Sequence, residues 1–299
     1  MAVGAVRDRE VNPSRSDDLL TLTKPRITTM VVVTAAMGFF LAADDRTPWL
    51  LLIHTLVGTG LVSGGASALN QVLERKTDAR MTRTAERPIP AGRLSPDIGL
   101  LFGVTLGVVG LVYLALVVNP LTGFLGVAAL GSYVFVYTPL KKASSLATLV
   151  GAVPGAIPPM MGWAARSGHL DLGAWVLFGI LFLWQLPHFL AIAWLCRHDY
   201  AQAGFPMLTT ADTDGTRTAR QMLLYCAALI PFSLLPSVIQ LTGAVYFWGT
   251  LVLGLGFFVT CIRFSRDRSL ATARTVLLAS VFYLPAVLIM ALMDRAAGP

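Results

Sequence analysis

Apolar runs about as long as a bilayer is thick recur from end to end of this chain, and nothing else in it constrains the fold so tightly. A helix needs roughly 20 residues to cross the hydrocarbon core. Lipid offers no water to backbone polar groups, so only helices or closed barrels cross it. The runs read as helices at 27–43, 49–73, 98–118, 121–139, 146–164, 174–195, 221–241, 245–262 and 273–292. Composition agrees: 55% of the 299 residues are hydrophobic and only 13% charged, against about a quarter charged in a soluble domain. The expected fold is an all-α integral membrane protein of about nine transmembrane helices. The first run is short for a span. The second is longer than a membrane needs, so its C-terminal turns are expected to project past the lipid.

The basic residues set the orientation. Five Lys and Arg precede the first run, and six, two, three and four follow runs two, four, six and eight, which makes 20 of the 23. Arg46, Arg166 and Arg295 are the three on the other side. The positive-inside rule then puts the N-terminus in the cytoplasm of a cell with this protein in its inner membrane. Much of the net charge of +7 is topological, so it calls for no nucleic-acid partner. Residues 1–23 are polar, with no apolar signal core, and read as a mobile cytoplasmic tail before a single transmembrane domain at 24–299. Cys196, Cys226 and Cys261 lack the spacing of a disulfide framework or a thiolate metal site.

Most ionisable side chains fall in two loops on the cytoplasmic side, 74–97 and 196–220. Long loops in a compact bundle are usually functional or disordered. The stretch "NQVLERKTDARMTRTAERPIPAGR", 70–93, leads into the first of them, and in it Asn70, Glu74 and Asp78 stand four residues apart. That spacing puts three oxygen donors on one helix face, about 6 Å apart along the axis. Such a row suits Mg²⁺, which takes one or two carboxylates, keeps water and completes its shell with substrate phosphate. Arg75, Lys76, Arg80, Arg83, Arg87 and Arg93 follow, and such cations hold phosphate oxygens directly. Acids that carry a metal beside bases that carry phosphate describe a diphosphate site. The plainer reading is a solvated face of i, i+4 ion pairs. It suits Arg75, Lys76 and Arg80 as well as the functional one does, and suits Asn70 less, because Asn70 sits at the edge of an apolar span. Pro88, Pro90 and Gly92 end the helix and fix Arg87 and Arg93, and Ser95 with Pro96 starts the next one.

This stretch resembles the first acidic motif, N-x-x-x-D-x-x-x-D, of the UbiA-type intramembrane prenyltransferases. "KPRI" at 24–27, "YTPLKK" at 137–142, "LVGAVPGAIPPMMGW" at 149–163, "WQLPHFLAIAW" at 184–194 and "DYAQAGFPML" at 199–208 resemble the haem-farnesylating branch of that superfamily. The resemblance implies a bundle around a central, lipid-accessible cavity with its diphosphate site at the cytoplasmic end. It also implies transfer of farnesyl from farnesyl diphosphate to a vinyl group of haem b, giving haem O for terminal oxidases. Haem A synthase or oxidase assembly factors would then be protein partners. Two departures stand out: Glu74 replaces the usual Asp, and Asp199 is followed by Ala203 where most of the superfamily repeat D-x-x-x-D. The first keeps a carboxylate. The second argues against a symmetric second metal clamp.

On that reading Asn70, Glu74 and Asp78 hold Mg²⁺ and Asp199 faces them. Lys24, Arg26, Arg83, Arg87, Lys141 and Lys142 are placed to meet diphosphate, with Tyr137 as a hydrogen-bond donor. Topology alone explains Lys141 and Lys142 equally well, and an interfacial aromatic belt explains Tyr137. Of the four histidines, His188 lies inside a span, either as a hydrogen-bonded core residue or as an axial ligand to haem iron. Arg197 is a candidate partner for a haem propionate. A prenyltransferase for a quinone precursor or a chlorin would use the same diphosphate residues. A transporter would instead need ionisable groups near the membrane midplane.

Overall fold

The structure is a computed structural model that describes residues 14–42 and 47–295. Arg46 and residues 1–13 of the expected tail lie outside the described residues. A short helix α1 (Arg15–Leu22) precedes α2 (Pro25–Leu41) and α3 (Trp49–Asp78). Then come α4 (Pro96–Val118), α5 (Pro120–Leu140), α6 (Ala147–Ser167) and α7 (Leu172–Leu195). After two short helices, α8 (Arg197–Gln202) and α9 (Leu208–Ala211), the chain closes with α10 (Thr216–Val238), α11 (Ala244–Arg266) and α12 (Leu270–Met293).

Among the described residues, seven helices are long and apolar enough to cross a membrane: α3, α4, α5, α7, α10, α11 and α12. The other two expected spans are also helical. α2 has 17 residues, and α6 has Pro154, Pro158 and Pro159 inside it. Those prolines do not break α6, because the helix is held against α2 by backbone contact. A Cβ on Gly162 would strike the Ala35 carbonyl, and one on Gly38 would strike that of Pro159. Small residues that let backbones touch are the usual means of helix association where lipid removes the hydrophobic drive. α3 and α4 use the same device: a Cβ on Gly65 would lie 2.6 Å from the Gly107 nitrogen.

The apolar core is divided. One large cluster joins α7, α10, α11 and α12 around Trp194, Tyr246, Phe264 and Tyr283. Smaller clusters join α2 to α6, one of them around Leu114, Met160 and Met161.

One expectation changes. Residues 15–22 of the expected mobile tail form α1, with a reciprocal capping box between Ser14 and Asp17. Its Leu22 is fully buried against Ala68, Val72, Ile89 and Leu94, and its Asp18 pairs with Arg93 at 3.0 Å. The C-terminal turns of α3 are covered by the chain itself. Segment 79–95 folds over them in a series of turns, and Met81 and Ile89 in it are buried.

Candidate active site

The last turns of α3 carry Asn70, Glu74 and Asp78, exposed by 2%, 2% and 0%. Burying two carboxylates is tolerable only if cations accompany them, and a different element supplies each one. Lys24, in a left-handed conformation between α1 and α2, donates from Nζ to Asn70 Oδ1 at 2.9 Å. Lys141, just past α5, donates to both Glu74 oxygens at 3.1 and 3.2 Å. Arg87, in the covering segment, donates to Asp78 Oδ2 at 2.7 Å. Thr84 Oγ1 donates to the Asp78 carbonyl at 2.8 Å and ties that segment to the helix end.

The far wall is aromatic. The backbone of α5 widens into a π-helical stretch at Ser132–Tyr137, a deformation common at functional sites. At its end the Tyr133 carbonyl accepts both the Thr138 backbone amide and Thr138 Oγ1, the latter at 2.8 Å. Tyr133 and Tyr137 stack at 5.4 Å. Lys141 Nζ lies 5.9 Å from the Tyr137 ring centre and 4.9 Å from that of Phe205. Thr138 Oγ1 also receives the Asn70 amide at 3.2 Å. Arg83 donates to the Tyr200 hydroxyl at 3.4 Å. Behind Tyr137 is a small cavity that Thr148, Phe189, Ile192, Tyr200 and Met207 also line.

The two lysines differ in how firmly they hold their charge. Burial pushes the Lys24 ammonium down to about 7, with the Arg87 charge adding to the effect. Burial also works against charge on Lys141, but the Tyr137 phenol and the Glu74 carboxylate hold it above its ordinary value. Lys24 is therefore more readily neutralised than Lys141.

A divalent cation fits this donor set. Asp78 Oδ1 is buried and has no hydrogen-bond partner, and buried polar atoms are rarely left so. Among the described residues no cluster of three or more His, Cys, Asp or Glu could hold a metal alone. Asn70 and ligand oxygens would have to complete the shell, as Mg²⁺ beside a phosphate requires.

The family model described as the UbiA prenyltransferase family matches residues 31–290. The chain belongs to the UbiA prenyltransferase family. It is 46% identical over 287 residues to the protoheme IX farnesyltransferase of Solibacter usitatus (strain Ellin6076), covering 93% of this chain and 98% of that one. It is 43% identical over 284 residues to the protein of that name from Myxococcus xanthus (strain DK1622), covering 95% and 96%. Among solved structures, one from a study of digeranylgeranylglyceryl phosphate synthase in membranes matches with a TM-score of 0.78 and 14% identity, over 93% of this chain and 98% of that one. A UbiA homolog from Archaeoglobus fulgidus bound to GPP and Mg²⁺ matches with a TM-score of 0.65 and 12% identity, over 92% and 99%. At such identities these two establish a shared fold. The chain is thus a multi-pass membrane protein of UbiA architecture.

Within this UbiA-family bundle the remaining expected residues scatter. Arg26 is exposed at the start of α2. Lys142 is also exposed and reaches the Leu73 carbonyl at 3.5 Å, away from the acid row. Asp199 is half-buried on α8, and its carboxylate is close enough to favour the charge on Arg83. Arg197 lies over the Trp194 ring at 4.3 Å. His188 sits in α7, eight residues before Cys196, so roughly 12 Å below that helix end. Thr138, Tyr133, Tyr200 and Phe205 were not anticipated. Tyr200 and Phe205 stand inside "DYAQAGFPML", where attention to the carboxylate passed over the aromatic residues around it.

Proposed function

We propose that this chain transfers the farnesyl group of farnesyl diphosphate to a vinyl group of haem b, with water adding a hydroxyl to the other vinyl carbon and losing a proton, giving haem O and diphosphate. The observation that carries it is the buried row Asn70, Glu74 and Asp78, each matched to a separate cation. Relatives that cover nearly the whole chain and carry the name protoheme IX farnesyltransferase supply the donor and acceptor. The site would face the cytoplasm, as the distribution of Lys and Arg suggests.

The chemistry is heterolysis of an allylic C–O bond, which leaves a delocalised carbocation and a strongly anionic leaving group. Catalysis of that kind is chiefly electrostatic stabilisation of the departing charge. Lys24, Arg87 and Lys141 move their hydrogen bonds from Asn70, Asp78 and Glu74 onto the diphosphate oxygens, and Arg83 closes from the Tyr200 side. The freed oxygens of Asn70, Glu74 and Asp78 would hold Mg²⁺, which supplies Lewis-acid neutralisation of the leaving group. Tyr133, Tyr137 and Phe205 present π faces where cationic charge develops, and they exclude water. The farnesyl chain follows the apolar space by Thr148 and Phe189. Asp199 is the acid available opposite the row. His188 ligates the haem iron, and Arg197 meets a propionate. Product passes to a haem-modifying or oxidase-assembly step.

Incubating the purified protein with labelled farnesyl diphosphate and haem b, then weighing the extracted haem, tests this reading. A mass gain equal to one farnesyl group plus one hydroxyl is expected, the vinyl group having become hydroxyethylfarnesyl. Label on an aromatic acid or a chlorin, with none on haem, would overturn it. Transport has less support, because the charged residues concentrate at one end of the bundle.

A further inference from the structure

His188 makes one side-chain hydrogen bond, and the arithmetic of its partner fixes the ring. His188 Nδ1 lies 2.8 Å from Ser280 Oγ. A serine hydroxyl has one proton to give, and Ser280 Oγ gives it to the Leu277 carbonyl at 2.6 Å, within α12. The 2.8 Å contact must then be Nδ1–H donating to Oγ. In its neutral form the imidazole then carries its proton on Nδ1 and leaves the Nε2 lone pair in the ring plane. Nε2 has no hydrogen-bond partner among the described residues, and His188 is half-buried.

The ring plane is held as well. The Trp184 indole stacks on the imidazole at 5.0 Å with 23° between planes, and its Nε1 donates to the Ser280 backbone carbonyl at 2.8 Å. One serine thus anchors both rings, the imidazole through Oγ and the indole through its main-chain oxygen. Ser280 is itself fully buried, so no solvent competes for either bond. A histidine kept only for packing would gain nothing from having its orientation set twice and its second nitrogen left over.

We infer that Ser280 is a positioning residue for the acceptor: it selects the Nδ1–H tautomer of His188 and so presents Nε2 to the haem iron. The inference rests on the ligand role proposed for His188. Hydrogen bonds from the non-ligating nitrogen orient metal-bound histidines and raise their basicity, and losing them costs about 10–100-fold in affinity. Ser280→Ala removes the acceptor but keeps the backbone carbonyl that Trp184 uses, so the indole stays in place.

The test is a haem b titration of the purified protein, followed by its Soret spectrum, in the native sequence and in His188→Ala, Ser280→Ala and Ser280→Thr. The native protein is expected to give a histidine-ligated spectrum and His188→Ala to lose it. Ser280→Ala should weaken haem binding about 10–100-fold and raise KM for haem b but not for farnesyl diphosphate, while Ser280→Thr binds as the native chain does. If His188→Ala keeps the native spectrum, the ligand reading falls and this inference with it. If His188→Ala loses the spectrum while Ser280→Ala binds normally, only the role of Ser280 is overturned. ¹⁵N shifts of the His188 ring in the native protein give a check that no substitution can confound: a proton on Nε2 would overturn the inference.

Discussion

Lys141 Nζ lies 3.1 and 3.2 Å from the two carboxylate oxygens of Glu74, and both side chains are buried. The pair spans 67 residues of sequence and joins the end of α5 to the last turns of α3. In so dry a setting neither charge is tolerable without the other. Lys141→Met should therefore destabilise the protein by about 3–5 kcal/mol, the usual cost of stranding one partner of a buried pair. Adding Glu74→Gln should restore most of that stability but no activity. Thermal unfolding in detergent reads the first effect and product formation the second. Equal stability of the single and double variants would mean that Glu74 gains its compensation elsewhere.

Asp78 has one oxygen bound to Arg87 and one with no partner, which singles it out as the acid with spare capacity for an ion. Asp78→Asn should lower kcat about 10²–10³-fold, the scale of losing one electrostatic contact to a developing anion, and leave the haem b titration unchanged. Chelating divalent ions should stop the native enzyme in the same way, with Mg²⁺ restoring it. Full turnover in the variant would remove the metal assignment.

Asp18 and Arg93 tie α1 to the segment that carries Arg87. Asp18→Asn should raise KM for farnesyl diphosphate about fivefold, as a partly buried pair worth about 1 kcal/mol implies, with kcat little changed. The exchange Asp18→Arg with Arg93→Asp should recover the native KM. No recovery would reduce α1 to a bystander.

Gly65 faces the Gly107 backbone at a distance that admits no methyl group. Gly65→Ala should destabilise the bundle by about 1–3 kcal/mol. Gly131→Ala, where nothing lies within 4 Å of the added carbon, should be neutral or mildly stabilising. Equal melting temperatures for the two variants would argue against the α3–α4 contact.

What the sequence disclosed followed from period and chemistry. Apolar runs located the helices, including α2, which is short for a span, and the proline-rich α6. The i, i+4 spacing of Asn70, Glu74 and Asp78 put them on one face because a helix repeats in that way. The partners of those residues were less legible. Lys24, Arg87 and Lys141 come from three separate elements, and sequence placed them only at a common membrane level, together with Arg26 and Lys142, which turn elsewhere. The direction of a side chain at a helix end depends on one backbone angle, as Lys24 shows with its φ of 48°. Ser280 was invisible for another reason: a lone serine in an apolar run carries no signal until its neighbour across the bundle is known.

The acids of α3 each have a protein-borne counterion, and this bears on how the enzyme comes into being. A zinc finger waits for its ion before it can fold. This bundle has no such dependence, since Glu74 and Asp78 already have companions from their own chain. Biogenesis in the membrane can finish ahead of any encounter with nucleotide-free metal or isoprenoid. Loading the enzyme is then a trade of partners inside a finished scaffold, and its speed should depend on how readily three cations let go.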